Sequence, residues 1–195
     1  MSVKTKGAFV LFLRPATDRD LGFLRRWDAA PHIIDSKGTE DWGWERELVR
    51  SPDWREQLIA ESDGVAIGFI QIIDPALEES HYWGDCPDGL RAIDIWIGDQ
   101  AYLGKGLGTE MMQLAINRCF ADPTVDSILV DPMASNTRAR SFYERSGFQF
   151  VENRRFGDDD CAVYRLDRRE WRRAEGTIPM RRATASSTTL QGTKP

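Results

Sequence analysis

The segment from residue 103 to residue 109, Leu-Gly-Lys-Gly-Leu-Gly-Thr, has a glycine at every second position. Residues 92–97 before it, Ala-Ile-Asp-Ile-Trp-Ile, predict a strand. Apolar residues recur after it at helical spacing, namely Leu107, Met111, Leu114, Ala115 and Phe120. The first amides of a helix have no partner within the helix and carry partial positive charge, and glycine lets an anion approach them closely. The segment therefore predicts a strand-to-helix junction that binds phosphate.

The spelling of this loop disagrees with two well-known nucleotide sites. A P-loop has four residues between its first glycine and Gly-Lys, followed by Ser or Thr. Here five residues separate Gly98 from Gly104, and Gly106 follows Lys105. A dinucleotide-binding loop is spelled Gly-x-Gly-x-x-Gly, whereas this loop is spelled Gly-x-Gly-x-Gly. Neither a nucleotide-dependent kinase nor a dinucleotide enzyme is indicated.

A second segment, residues 131–148, follows a predicted strand at residues 127–130. Within it, Asn136, Arg140 and Tyr143 are spaced i, i+4 and i+7, so that one helix face can direct all three toward the same place. Gly147 suits the end of such a helix. Tyr143 can equally be a core ring whose hydroxyl donates to a carbonyl. The spacing predicts a helix, and leaves the role of its tyrosine open.

The two segments together resemble the signatures of the GCN5-related N-acetyltransferases, the GNAT superfamily. The glycine loop resembles their pyrophosphate-binding loop, and residues 136–148 fit Asn-x-x-Ala-x-x-x-Tyr-Glu-x-x-Gly-Phe. Residues 91–94, 102–109 and 120–123 are most similar to the aminoglycoside 6′-N-acetyltransferases. The resemblance covers residues 9–167. It implies acetyl-CoA as the cofactor and a small cationic amine as the substrate, an aminoglycoside-like polyamine acetylated at its 6′ amine.

The order of the predicted elements agrees with this resemblance. The first half is predicted as a strand at residues 8–13, two helices, and a hairpin around Asp63-Gly64. The resemblance implies an α/β (α+β) fold, the GNAT fold. This is a mixed, mostly antiparallel sheet of six to seven strands flanked by about four helices, with a splayed central strand pair that holds the cofactor. Residues 1–170 are expected to form a single acetyltransferase domain, and the polar residues 171–195 a mobile C-terminal tail.

Acetyl transfer from a thioester to an amine needs a base for the amine, a polarised carbonyl and an acid for the leaving thiolate. If the isoleucines on either side of Asp94 face the core, Asp94 and Trp96 project from the other face of the sheet. Such a carboxylate can accept the proton of an amine directly or through water, or can simply pair with Arg91. The resemblance implies that Asp94 is the base and that Tyr143 protonates the thiolate. A backbone N–H of the Asp94 strand would polarise the carbonyl.

The candidate binding residues lie in a few stretches of chain. The predicted cofactor site comprises Trp96, Ile97, Gly98, Leu103, Gly104, Lys105, Gly106, Leu107, Gly108, Thr109, Asn136 and Arg140. Because carboxylates hold ammonium groups and aromatic rings bind sugars and cations, the predicted substrate site comprises Glu79, Tyr82, Trp83, Asp85 and Asp94. Candidates for an opposite wall are Glu40, Asp41, Trp42 and Trp44. An acidic loop around a buried tryptophan would have the same composition.

Composition narrows the possible partners. The formal net charge of −5 argues against nucleic acid, which requires a basic face, and suits a cationic substrate. The three cysteines are far apart and there are only two histidines, so neither a zinc site nor a disulfide framework is indicated. The apolar run at residues 8–13 is too short to span a bilayer. We expect a cytoplasmic, metal-free protein with no membrane partner, present as a monomer or a homodimer.

Two other functions remain open. The Tyr-Leu-Gly-Lys-Gly-Leu-Gly-Thr loop and the Asp-Pro after the helix also resemble siderophore-pathway N-acyltransferases, which act on a hydroxylysine-type amine. The histidine pattern usual in that branch is not found on the strand before the loop, where Asp94 and Trp96 stand. Alternatively, the chain binds acyl-CoA without turnover. The presence of both candidate catalytic groups argues for catalysis.

Overall fold

The computed structural model describes residues 10–37 and 41–177. In chain order, the strands and α-helices of these residues are β1 (Leu11–Pro15), α1 (Leu21–Asp28), α2 (Pro31–Lys37), α3 (Trp44–Glu47), β2 (Arg55–Ser62), β3 (Val65–Ile73), β4 (Leu90–Ile97), α4 (Leu107–Ala121), β5 (Ser127–Val130), α5 (Thr137–Arg145), β6 (Gln149–Phe156), β7 (Asp159–Asp167) and α6 (Arg168–Thr177). Short 3₁₀ turns at Asp18–Asp20 and Gln100–Tyr102 precede α1 and the glycine loop.

The strands form one seven-stranded sheet in the order β1-β2-β3-β4-β5-β7-β6. Every neighbouring pair is antiparallel except β4 and β5, which are parallel. The β2–β3 hairpin turns through Asp63 and Gly64, whose φ angles of 52° and 75° match the strand twist. The predicted mixed, mostly antiparallel sheet and its hairpin are therefore confirmed.

The described residues contain two helices beyond the four that the sequence predicted, α2 and α6. α2 begins with Pro31, a residue that favours the first helical position. α6 includes Trp171, which packs against Phe120 of α4 with ring centroids 4.9 Å apart. The Arg168 guanidinium also donates to the Phe120 carbonyl oxygen at 2.8 Å. The boundary expected at residue 170 thus falls inside a packed helix, while residues 178–195 of the expected tail lie outside the described residues.

β4 and β5 separate after three residue pairs, the last of which joins Ala92 to Leu129. Beyond this point β4 continues beside β3 alone. The Gly98 N–H donates to a β3 carbonyl at 2.9 Å. Because strand amides alternate between the two neighbours, the N–H groups of Ile95 and Ile97 face the gap left by β5. The predicted splayed central strand pair is therefore confirmed.

The two faces of the sheet bury different apolar clusters. α4 and α5 cover one face, where Ile93 packs in a cluster with Met111 and Tyr143. The other face carries two clusters. One, the helical cluster, lies under α1 to α3 and comprises Leu24, Trp27, Ile33, Trp44, Ile59 and Phe69, with Trp96 packed against it. The other, the loop cluster, lies under the β3–β4 connection and comprises Trp83, Leu90, Ala92, Leu129, Phe156, Cys161 and Val163.

Candidate active site

A cavity of about 410 Å³ lies between the end of β4, the glycine loop and α5. Its lining includes eight of the predicted cofactor residues: Trp96, Ile97, Leu103, Gly104, Gly106, Gly108, Thr109 and Asn136. Tyr143, a predicted catalytic residue, lines the same cavity. The strand, the loop and the second helix therefore meet around one space.

The glycine loop leaves room for an anion at the start of α4. Gly104 and Gly106 have φ angles of +71° and +83°, and a Cβ added to either would meet no atom within 4 Å. Gly106 is the N-cap of α4, and its carbonyl accepts from the Thr109 N–H at 3.0 Å. The N–H groups of Leu107 and Gly108 donate to no residue that the structure describes. Open space beside free helix-start amides fits a diphosphate group.

Three of the predicted cofactor residues make contacts within the protein instead of lining the cavity. A Cβ on Gly98 would lie 1.9 Å from Cε2 of Trp27, so this glycine permits close packing between β4 and α1. The Leu107 side chain is 1% exposed and belongs to the core between α4 and the sheet. Lys105 places its amine 5.4 Å from the centre of the Tyr102 ring. None of the three lines the cavity.

Arg140 also lies away from the cavity lining, so the prediction that Asn136, Arg140 and Tyr143 share one functional face is wrong for this arginine. Its guanidinium donates to the Tyr164 hydroxyl at 3.0 Å and to the Ala134 carbonyl at 3.2 Å. These contacts with β7 and with the segment before α5 direct Arg140 away from the cavity. Asn136, which does line the cavity, is the N-cap of α5 and accepts from the Ala139 N–H at 3.0 Å.

The cavity lining also includes side chains that the sequence did not assign to it. From α2 it includes His32, whose Nε2 lies 3.1 Å from the Ile97 carbonyl oxygen. From α5 it includes Arg138 and Arg145, which are seven residues apart and thus share a helix face. Pro31 could have indicated the start of α2 from the sequence. The seven-residue spacing of the two arginines could have indicated that they share one face of α5.

Asp94 lies on the face of β4 that is turned away from the core under α4 and α5, as the alternation of the strand predicted. Ala92 belongs to the loop cluster and Trp96 packs on the helical cluster, so Asp94 stands between the two. Gln71 Nε2 donates to Asp94 Oδ2 at 3.0 Å. Arg91, the partner considered for Asp94, instead donates to Asp74 Oδ2 at 2.8 Å. The Asp94 carboxylate is therefore fixed by a hydrogen bond in the middle of β4, between the two clusters.

Asp131 lies near Asp94, although the sequence patterns assigned it no role. It follows β5 directly, and the pairing of Ala92 with Leu129 puts it two residues further on, opposite Asp94 across the splay. The Tyr82 hydroxyl donates to Asp131 Oδ2 at 2.7 Å. Removal from solvent, and next the charge of Asp94, raise the pKa of Asp131 to about 7. Two carboxyl groups thus lie near each other across the splay, and we call the region bounded by Asp94, Asp131 and Tyr82 the acceptor cleft.

Tyr143 joins the two halves of the site. It is 8% exposed, packs in the core and lines the cofactor cavity. Its hydroxyl forms no hydrogen bond with the residues that the structure describes, so the alternative of a core hydroxyl bonded to a carbonyl is wrong for this part of the chain. Burial, followed by the charges of Asp94 and Asp131, raises the pKa of Tyr143. The phenol therefore keeps its proton at neutral pH.

The remaining predicted substrate residues lie on the β3–β4 connection and differ in exposure. Tyr82 is 47% exposed and stacks on Phe156 with ring centroids 4.4 Å apart. Trp83 is 6% exposed and supports the loop cluster, so its ring is core. Glu79 pairs with Arg50 at 2.7 Å, and Asp85 is exposed. Tyr82 is thus the aromatic ring of this loop that reaches the acceptor cleft.

On the opposite side, the candidate wall is partly built into the core. Trp42 stacks on Trp44 with centroids 5.3 Å apart and meets Trp96 edge-on at 4.9 Å. Glu40 lies outside the described residues.

In the described part of the chain no helix is long and apolar enough to cross a membrane, and no group of three or more histidine, cysteine or acidic side chains could hold a metal ion.

The sequence matches the family described as "Acetyltransferase (GNAT) domain" over residues 16–156. The chain belongs to the GNAT acetyltransferase family. It is 32% identical over 162 residues to the aminoglycoside N(6′)-acetyltransferase type 1 of Klebsiella pneumoniae, a match that covers 76% of this chain and 78% of that protein. The family predicted from the two signatures is thus confirmed, and the protein is an N-acetyltransferase.

Two further relatives bear on the substrate of this acetyltransferase. The crystal structure of the aminoglycoside acetyltransferase AAC(6′)-Ib in complex with coenzyme A and kanamycin superposes with a TM-score of 0.78. Its sequence identity is 29%, and the match covers 85% of this chain and 99% of that one. A lysine N-acyltransferase of Mycolicibacterium paratuberculosis is 27% identical over 169 residues, covering 80% of this chain and 72% of that protein.

Proposed function

We propose that this acetyltransferase transfers the acetyl group of acetyl-CoA to the 6′ amine of an aminoglycoside. The observation that carries the proposal is the position of β4, which borders the phosphate-binding cavity with Ile95 and Ile97 and presents Asp94 to the acceptor cleft. The acetyl donor and the amine that accepts the acetyl group would therefore meet at β4. The enzyme acts, on this proposal, in the cytoplasm as a monomer or a homodimer.

The coenzyme would be held by backbone groups at both ends of the cavity. The amides of Leu107 and Gly108 and the open loop at Gly104 and Gly106 suit its diphosphate. The free edge of β4 suits the amide groups of its pantetheine arm, because an unpaired strand edge pairs with an extended amide chain. When bound, acetyl-CoA supplies an acetyl thioester. The gap-facing N–H groups of Ile95 and Ile97 would polarise its carbonyl.

The acceptor cleft suits a cationic polyamine. Asp94 and Asp131 place two carboxyl groups on one face of the sheet, and the formal charge of the whole chain is −5. The Tyr82 ring lies beside Asp131 and adds an apolar face for a sugar. Carboxylates bind ammonium groups by charge-assisted hydrogen bonds, and aromatic rings attract cations. This pairing favours an aminoglycoside over a neutral acceptor.

The chain's own groups then account for each proton. Asp94 accepts the proton that the attacking amine loses, directly or through water, while the new C–N bond forms. The strand amides would donate hydrogen bonds to the carbonyl oxygen as it gains negative charge. Tyr143 donates its proton to the sulfur as the C–S bond breaks, and its raised pKa keeps that proton available. Per turnover Asp94 gains the proton of the amine and Tyr143 loses one to the thiol product, so the protein as a whole neither gains nor loses a proton.

The lysine N-acyltransferase relative favours a second candidate, acylation of a hydroxylysine-type amine. Purified enzyme with acetyl-CoA, assayed for thiol release, separates the two candidates. Kanamycin and its analogue with a hydroxyl in place of the 6′ amine form the matched pair, and N6-hydroxylysine is the competing acceptor. We expect turnover with kanamycin alone and loss of it in Asp94→Asn. Turnover with N6-hydroxylysine alone would favour the second candidate, and none with any amine would favour a module that only binds acyl-CoA.

A further inference from the structure

One face of α5 brings two arginines and an aromatic ring to the cofactor cavity. Arg138, Phe142 and Arg145 all line it and lie at i, i+4 and i+7 along the helix. A Cβ added to Gly108 would lie 3.8 Å from the Phe142 ring, so this ring borders the first turn of α4. The two arginines therefore flank this ring along α5, at the end of the cavity that the glycine loop borders.

Neither arginine is used by the fold. Both are exposed, and neither forms an ion pair or a hydrogen bond with any residue that the structure describes. Arg140, two residues from Arg138 on the same helix, is in contrast fixed by the Tyr164 hydroxyl and the Ala134 carbonyl. An arginine on this helix can therefore find partners within the protein, and these two do not.

The charge of the cavity lining is opposite to that of the molecule. Asp35 of α2 is the one carboxylate among the lining residues, whereas Arg138 and Arg145 supply two positive charges. The formal net charge of the whole chain is −5. A local excess of positive charge in an acidic protein indicates an anionic ligand at this place.

The diphosphate of coenzyme A is already accounted for by the glycine-loop amides, but the coenzyme carries another phosphate on the 3′ oxygen of its adenosine. Arginine binds phosphate through two parallel hydrogen bonds, and a flat base packs well on a phenylalanine ring. We propose that Arg138 and Arg145 hold this 3′-phosphate beside an adenine that packs on Phe142. The enzyme would then select acetyl-CoA over its 3′-dephospho form. This inference rests on the proposed function, because it needs the coenzyme in this cavity.

Calorimetric titration with coenzyme A and with 3′-dephospho-coenzyme A tests the proposal on the intact chain. We expect the unaltered enzyme to bind coenzyme A at least about tenfold more tightly than the dephospho form. Arg138→Gln and Arg145→Gln should each weaken coenzyme A about five- to tenfold while changing the dephospho form less than about twofold. Arg172→Gln on α6 is the control, because Arg172 is exposed and lies outside the cavity.

Two results would overturn the assignment and leave the proposed function standing. Equal affinity of the unaltered enzyme for the two coenzymes would show that the 3′-phosphate is not recognised. Equal loss of both coenzymes in the arginine variants would show that these side chains bind the diphosphate instead. Failure of the unaltered enzyme to bind either coenzyme would overturn the proposed function itself.

Discussion

Tyr82 donates a 2.7 Å hydrogen bond to Asp131, and this contact joins the β3–β4 connection to the end of β5. The Tyr82 ring is fixed from behind by Phe156 of β6, on which it stacks. The wall of the acceptor cleft is therefore assembled from three parts of the chain that are far apart in sequence. The pKa of the Asp131 carboxyl group is in turn raised by the charge of Asp94 on β4, the next strand of the sheet.

The coupling of Asp131 to Asp94 predicts how stability depends on pH. The pKa of Asp131 is raised from 3.8 to about 7 in the folded protein. Between these values the unfolded chain loses the proton and the folded protein retains it, so this group's contribution to the free energy of unfolding falls as pH rises from about 4 to about 7. Asp131→Asn should remove that fall, as measured by urea unfolding at a series of pH values.

Asp94→Asn offers the matched test of cause. Without the Asp94 charge the pKa of Asp131 should decrease, so that the fall in stability ends at a lower pH. Glu47 supplies an internal reference with the opposite sign. Burial opposes its ionisation, but hydrogen bonds from Arg46 and Arg55 lower its pKa from 4.5 to about 2, so its stabilisation is lost as pH falls through this interval. An unchanged pH profile in Asp94→Asn would contradict the coupling.

Tyr143→Phe should reduce kcat about a hundredfold and leave the affinity for coenzyme A almost unchanged, because the proposed mechanism needs the hydroxyl only when the sulfur leaves. Steady-state rates of thiol release and calorimetry measure the two quantities. Tyr164→Phe is the control, since the Tyr164 hydroxyl lies in the core and donates to Glu144 at 2.9 Å. We expect Tyr164→Phe to lower stability more than kcat. A full rate in Tyr143→Phe would remove this tyrosine from the mechanism.

Gly106→Asp should abolish coenzyme A binding, because it places a carboxylate where the diphosphate is expected. Gly64→Asp is a close control for backbone strain. Gly64 and Gly106 have φ angles of +75° and +83°, and a Cβ on either meets no atom within 4 Å. Gly64 lies in the β2–β3 turn, outside the cavity lining. Both variants should lose similar stability by thermal unfolding, but only Gly106→Asp should lose the heat of coenzyme binding. Retained affinity there would refute the assignment of the glycine loop.

The parts of the site that the sequence predicted are those that depend on local geometry. The alternation of β4 is enough to place Asp94 opposite its isoleucine neighbours. Likewise, the glycine loop carries its own evidence, because positive φ at Gly104 and Gly106 and the start of α4 are features of a few consecutive residues. Periodicity and turn chemistry act over this range, so a single sequence contains them.

The parts that it missed depend on contacts between distant segments. Asp131 faces Asp94 only because the parallel pairing of β4 and β5 sets their register, and no local pattern fixes that pairing. Arg140 turns away from the cavity because Tyr164 of β7 binds it. Residues 171–177 of α6 were expected to belong to a mobile tail because their composition is polar, yet Trp171 packs on Phe120. Tertiary packing overrides local composition in each case.

Gly98→Ala should destabilise the protein by about 3 kcal/mol, since the new methyl group would lie 1.9 Å from Cε2 of Trp27 in a well-packed cluster. Urea unfolding measures the change. Gly22→Ala is the control, because Gly22 lies in α1 and its Cβ would meet only a flexible arginine tip at 3.8 Å. Alanine there should stabilise the helix by about 0.5–1 kcal/mol. If Gly98→Ala folds as stably as the unaltered chain, Gly98 is not required for packing, and a direct contact with the coenzyme becomes the better explanation of this glycine.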